Sequence, residues 1–221
     1  MKLNLLVLFI FFLQASFKPA ENPSFKGGAS GLANFINQSM IYPEYSKQNC
    51  IEGTIEVSFR LNSQGRIIES KVQKGLGIDL DDEALRLIRL TSGKWTIPAL
   101  YDTTSVITLP INFSLRQFNC WRSATEIKAA IDAYKAQGYL SDAVITYYEK
   151  KDKGNYTADD EQKIIQLKEE LGYDDDYISR VIDQAKQKIK QGDQEGACKD
   201  LQFVRKIGSD KADKLIATYC K

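Results

Sequence analysis

GTIEVSFRLNSQGRIIESKVQ, residues 53–73, decides the fold. Ile55, Val57, Phe59 and Leu61 alternate with Thr54, Glu56, Ser58 and Arg60, a period of two that puts one set on each face of a strand. Asn62-Ser63-Gln64-Gly65 breaks the pattern with turn chemistry. A second strand follows from Arg66 to Gln73, with Ile68 and Val72 on one face and Glu69, Lys71 and Gln73 on the other. Downstream, Asp79 is placed to cap a helix that carries Leu80, Ala84, Leu87 and Ile88 on one side. Asp81, Asp82 and Glu83 fill its first turn, where negative charge suits the helix dipole. Trp95-Thr96-Ile97-Pro98-Ala99 leads to a third strand from Ser105 to Leu115. Upstream, Ser30 is read as the cap of a short helix through Leu32, Phe35 and Ile36, and Tyr42-Pro43-Glu44 as a turn.

The second strand runs opposite to the first, and the helix returns the chain to its starting end. The third strand then joins the sheet most simply beside the first, by a right-handed crossover. The reading is an α+β module: a three-stranded antiparallel sheet of order 2-1-3 with helices on one face. The third strand lies on an edge, which agrees with Pro110, since proline has no amide hydrogen for a ladder. An exposed edge is a template for a partner's strand. The candidate edge is Val106, Ile107, Thr108, Leu109, Pro110, Ile111, Asn112 and Phe113. Pro110 removes one donor there, so it either sits at a bulge or limits the length of pairing.

Seven fragments carry a resemblance. They are Phe25-Lys26-Gly27-Gly28, Tyr42-Pro43, Ile51-Glu52-Gly53-Thr54-Ile55, Gln64-Gly65-Arg66-Ile67, Asp82-Glu83-Ala84-Leu85, Trp95-Thr96-Ile97-Pro98-Ala99 and Leu109-Pro110-Ile111-Asn112-Phe113. In this order and spacing, residues 25–115 resemble the TonB C-terminal domain family. The resemblance implies a periplasmic module that passes force to outer-membrane transporters, each of which donates a short segment to the third strand. It also implies a longer anchor and a long proline-rich spacer. This sequence departs from both, with five prolines and only Glu21-Asn22-Pro23-Ser24 ahead of the module.

The 221 residues carry a net charge of +1, with both signs balanced in each half, so no nucleic-acid partner is implied. There is no histidine, which excludes Ser-His and Cys-His catalysis, His-ligated zinc and a histidine pH switch. Residues 1–20 read as a cleaved secretory signal: Lys2, an apolar run from Leu3 to Leu13, then Gln14-Ala15-Ser16. The alternative is an uncleaved anchor, the one route by which a membrane would be a partner.

From Ser123 helical spacing replaces alternation. Runs are read at Ala129–Gln137, from Ser141 through Val144, Tyr147 and Tyr148, and from Thr157 with Asp160 in a capping box. Leu171-Gly172 ends that helix. Asp174-Asp175-Asp176 opens the next one, and the last two are Glu195–Lys206 and Ala212–Tyr219. The segment Ala185–Lys206 resembles a tetratricopeptide-type hairpin. The domain reading is 24–118 for the TonB-like module and 123–221 for an all-α helical-hairpin domain.

Four cysteines behind a signal segment suggest disulfides. Cys50 precedes the first strand and Cys120 follows its antiparallel neighbour, so both lie at one end. Cys198 opens a helix and Cys220 closes the antiparallel one after it. The expected pairs are Cys50–Cys120 and Cys198–Cys220. The acidic runs at 79–83 and 174–176 fit helix N-termini better than a calcium loop. Trp95 and Pro98 fit the core better than a groove. The expectation is a non-enzymatic protein-binding chain without a cofactor. Its partner is an outer-membrane transporter segment or a second copy at the edge strand. The alternative is a scaffold that binds through its helices.

Overall fold

The computed structural model describes residues 22–220. The signal read at residues 1–20 lies outside them. The elements are β1 (Ser24–Phe25), α1 (Gly28–Ser39), α2 (Glu44–Gln48), β2 (Gly53–Leu61), β3 (Ile67–Lys74), α3 (Asp79–Arg89), β4 (Trp95–Thr96) and β5 (Ile107–Phe113). After a 3-10 turn come α4 (Ala124–Lys151), α5 (Ala158–Glu170), α6 (Asp175–Gln191), α7 (Gln194–Lys206) and α8 (Asp213–Tyr219). The main sheet is antiparallel with the order β3-β2-β5, which is the expected 2-1-3.

Ile55, Val57, Phe59 and Leu61 of β2 are all buried, with Ile111 and Phe113 of β5 and Leu80, Ala84, Leu87 and Ile88 of α3. Alternation on β2 and helical spacing on α3 turn one apolar face of each toward the other. An aromatic chain extends this core: Phe59 meets Trp95 at 5.4 Å, Trp95 meets Phe25 at 5.6 Å and Phe25 meets Phe35 at 5.7 Å. Trp95 is therefore core, and its indole nitrogen donates to Thr91 Oγ1 at 2.9 Å. Gly65 turns the β2–β3 hairpin at φ +72°, and a Cβ there would run into the Trp95 carbonyl.

The second strand departs from its expected facing. The β2–β3 register slips between Glu56 and Val57 and again between Arg60 and Leu61. Each slip puts one extra residue on β3. Ile68 is the extra residue at the second, so it points out and is 52% exposed, while Ile67 pairs with Leu61 and takes the core side.

Three helix starts also differ. α1 begins at Gly28 behind Gly27 in the left-handed region, not behind Ser30. Asp79 lies inside α3, and its carboxylate accepts from the Ser46 amide at 3.2 Å and from the Ser46 hydroxyl. The runs read at 129–137 and from Ser141 are one continuous helix of 28 residues, α4. Ser141 caps nothing, because its hydroxyl donates back to the Gln137 carbonyl inside the helix. The true start of α4 is a capping box of Ser123 and Glu126.

The described residues form two hydrophobic cores. The first is the sheet with α1 and α3, against which Ile127, Ala130, Ile131 and Tyr134 of α4 pack. The second gathers Val144 of α4 with Ile178, Val181, Ile182 and Ala185 of α6 and Ala197, Leu201 and Val204 of α7. The α6–α7 hairpin turns at Gly192 (φ +86°), with Ala185 and Ala197 fully buried at its contact. Both expected cysteine pairs are disulfides, Cys50–Cys120 and Cys198–Cys220, each with 5.5 Å between Cα atoms.

Tyr134 seats α4 on the first core, edge-to-face against Tyr45 at 5.0 Å, while the Tyr45 hydroxyl donates to the Ala130 carbonyl. Burial, then Asp79 and Asp82, push the Tyr134 hydroxyl up to about 12. The folded state thus holds a phenol proton that the unfolded chain releases near its ordinary value. Stability therefore falls as pH rises from about 10 to about 12. Unfolding midpoints measured at about pH 9 and about pH 11 should show the drop. Tyr134→Phe should make it shallower, and an unchanged slope would reject this assignment.

Candidate functional site

Among the described residues β5 is held by β2 alone, in an unbroken register from Gly53↔Phe113 to Phe59↔Ile107. Ile107, Leu109, Ile111 and Phe113 alternate toward the helices, and Thr108, Pro110 and Asn112 toward solvent. Val106 lies just ahead of the strand and is 60% exposed. Pro110 pairs with Glu56 and the register passes it without a bulge. Of the two readings of this proline, a limit on pairing length is the one that fits.

Burial is uneven along the strand. Ile107 and Leu109 are half-covered, whereas Ile111 and Phe113 are buried. Tyr42 closes the covered end, edge-to-face on Phe113 at 5.8 Å, and its hydroxyl donates to the Ile51 carbonyl at 2.7 Å. Burial, with Glu52 and Asp79 adding to it, pushes that hydroxyl far above the ordinary phenol range. The Leu115 amide donates to the Glu52 carboxylate just beyond the strand. The Cys50–Cys120 disulfide then ties the exit of β5 to the loop before β2. Cys50 (φ 54°) and Asn119 (φ 47°) flank this bond, both in the left-handed region that non-glycine residues rarely occupy.

The opposite edge is built differently. β3 carries both register slips, and Lys71, Gln73 and Lys74 are exposed along it. Bulges and lysines are the devices that blunt an edge against pairing. Glu195 of α7 also reaches β3, where Ser70 Oγ donates to it at 3.5 Å. Of the two edges, β5 is the flat one.

The acidic run around α3 is engaged within the protein. Asp81 accepts from the Leu76 and Gly77 amides at 2.9 and 2.8 Å. Asp82 pairs with Lys199 and Glu83 with Arg86. Asp174 caps α6 through the Tyr177 amide, and Asp175 pairs with Lys211. Among the described residues no group of three His, Cys, Asp or Glu side chains is placed to hold a metal. No helix of the described residues is long and apolar enough to cross a membrane.

A concave feature lies between α4 and α7. It is a groove of about 900 Å³, lined by Ser141, Asp142 and Ile145 on one side and by Lys199, Gln202 and Phe203 on the other. It draws on two distant segments of one chain, so no sequence motif marks it.

The family model described as Gram-negative bacterial TonB protein C-terminal matches residues 38–115. Over that span the chain is similar to the TonB C-terminal family. The match runs from the end of α1 to just past β5, and so contains the whole main sheet and both of its edges. The TonB C-terminal family is a non-enzymatic, protein-interaction one. Comparison with curated proteins and with solved structures gives no match.

Proposed function

We propose that the chain is a periplasmic protein-interaction module that takes an extended partner segment on the free edge of β5. One observation carries the reading. β5 is a flat seven-residue edge in unbroken register, while β3 is bulged, lysine-bearing and flanked by α7. The family match suggests an outer-membrane transporter as the source of the segment. The domain division goes with this proposal: a signal at 1–20, the TonB-like module at 24–118 and the helical part at 123–221, with the first half of α4 as a buttress on the module.

Pro110 sets the pairing pattern. If its nitrogen faced β2, the Glu56 side of the ladder would lose a donor, so the nitrogen faces outward. Its row, with Thr108 and Asn112, then offers main-chain donors to a partner at Thr108 and Asn112 and a gap at Pro110. Two copies pairing through β5 would each meet this gap, which works against self-association.

A photo-crosslinking residue at Thr108 of the full chain, in the native envelope, tests the proposal. Capture of an outer-membrane transporter segment supports it, and self-capture replaces it with a dimer. With the probe moved to Asn112, Thr108→Pro should lower capture at least about tenfold, since it deletes an outward donor and crowds the approach. The circular dichroism of the variant should be unchanged. Undiminished capture by a folded Thr108→Pro chain would reject strand addition. The groove between α4 and α7 favours a second reading, a scaffold that binds through its helices. Capture from a probe at Gln202 and none from Thr108 would establish that one.

A further inference from the structure

The two hydrophobic cores have no residue in common. The contact between them, apart from α4 itself, is polar. α3 presents Asp82, Arg86 and Arg89 on one face, at helical spacing. Opposite stands the α6–α7 corner, from Gln191 to Lys199. Arg86 Nη1 donates to Gln191 Oε1 at 3.1 Å. Arg89 donates to Glu195 and lies 3.8 Å from Asp193, a carboxylate only 1% exposed. Lys199 donates to Asp82. Arg89 Nε also donates to Ser70 Oγ at 3.0 Å, which braces it against β3.

α4 is the one element that enters both cores. Tyr134 is its last residue packed on the first, and Val144 is buried in the second. Between them residues 136–140 are exposed on every side. Gly138 sits in this bare turn. A Cβ there would meet nothing within 4 Å, and its φ is not in the left-handed region, so neither packing nor backbone geometry requires glycine. Glycine weakens a helix where it stands. The 900 Å³ groove separates this turn from α7, so α4 has room to bend there.

We propose that α3 and the α6–α7 corner form an ionic latch, and that α4 around Gly138 is the hinge it holds shut. Packed units move relative to each other by default unless their interface is large and hydrophobic, and this one is polar. Opening swings the second core away and uncovers the Asp82–Arg86–Arg89 face of α3. β5 and its edge are untouched by the movement. The latch therefore stands independently of strand addition.

Small-angle scattering of the full chain tests it. Glu195→Lys with Lys199→Glu sets like charges against Arg89 and Asp82, and both positions are surface-exposed. The extended fraction should rise roughly tenfold. Adding Asp82→Lys restores one pair and should recover part of the compaction. Adding Gly138→Ala should narrow the distribution again by stiffening the hinge. An unchanged distribution in a double variant with native circular dichroism and both disulfides overturns the latch. Expansion that Gly138→Ala leaves untouched overturns the hinge. Should the double variant fold poorly, the wild-type chain decides. About 1 M salt screens the exposed Asp82–Lys199 pair. Expansion in that salt supports the latch, and none overturns it.

Discussion

Phe59→Ala should destabilise the first core by about 3–5 kcal/mol, the range for emptying a buried phenylalanine site. Phe59 is 1% exposed on the central strand and touches Trp95, which links β2 to the short β1–β4 pair and through Phe25 to α1. Removing the ring leaves a void on the core face of the sheet beside Trp95, and the packed elements there close it only by moving together. The loss of the aromatic pair adds to the cavity, by about 0.5–1.5 kcal/mol. Urea unfolding followed by the near-ultraviolet signal of buried Trp95 reads this core. Far-ultraviolet dichroism, dominated by α4 to α8, reads the second. The Trp95 transition should move sharply to lower urea and the helical one much less, because Phe59 packs in the first core only. A shift below about 1.5 kcal/mol, or an equal shift of both transitions, would contradict the two-core description. Phe118→Ala is the control. Phe118 is 46% exposed under the Lys47 ammonium, and its loss should cost under about 1 kcal/mol.

The sheet was legible because alternation on β2 and Pro110 on β5 carry strong local signals. One disulfide followed from it, since strand order alone brings Cys50 beside Cys120, and the other from the antiparallel helices that bring Cys198 beside Cys220. What failed to show was whatever depends on one residue more or less. Ile68 reads as core by period, and a single extra residue on β3 turns it outward. β1 and β4 are two residues each, too short for any period to appear. Ser141 reads as the start of a new run, yet its hydroxyl is satisfied inside a helix that continues from Ala124 to Lys151. The candidate edge was legible as a position but not as a choice between two edges, because the bulges that blunt β3 leave no mark on composition. The acidic first turn of α3 read as helix N-terminal charge, and nothing marked Arg86 and Arg89. The partners of α3 at Asp193, Glu195 and Lys199 lie more than a hundred residues away in sequence, beyond the reach of any local pattern.

Glu83→Ala should cost about 3–5 kcal/mol, the range for breaking a buried ion pair by removing one partner. The Glu83 and Arg86 side chains are 7% and 8% exposed, joined at 2.6 Å from Nε and 2.7 Å from Nη2. Burial works against the Arg86 charge, but the hydrogen bond and charge of Glu83 outweigh it and hold the guanidinium above its ordinary value. Glu83 also accepts from the Ile41 amide at 2.8 Å, and Arg86 donates to the Ser39 carbonyl at 2.6 Å. The pair therefore fixes the strap from α1 to α2 on the back of α3. Glu83→Ala leaves a buried guanidinium without its hydrogen-bonded ion-pair partner, with Asp193 as a more distant charge, and the Ile41 amide without an acceptor. The double variant Glu83→Met/Arg86→Met removes both charges and fills similar volume, so it should be milder than the single change despite touching two residues. That inversion is the informative result, read from the urea midpoint of the Trp95 signal. A double variant worse than Glu83→Ala would mean that the Ser39, Ile41 and Gln191 hydrogen bonds outweigh the buried charges. α3 would then hold its neighbours by hydrogen bonding to the strap and to α6, with the ion pair secondary.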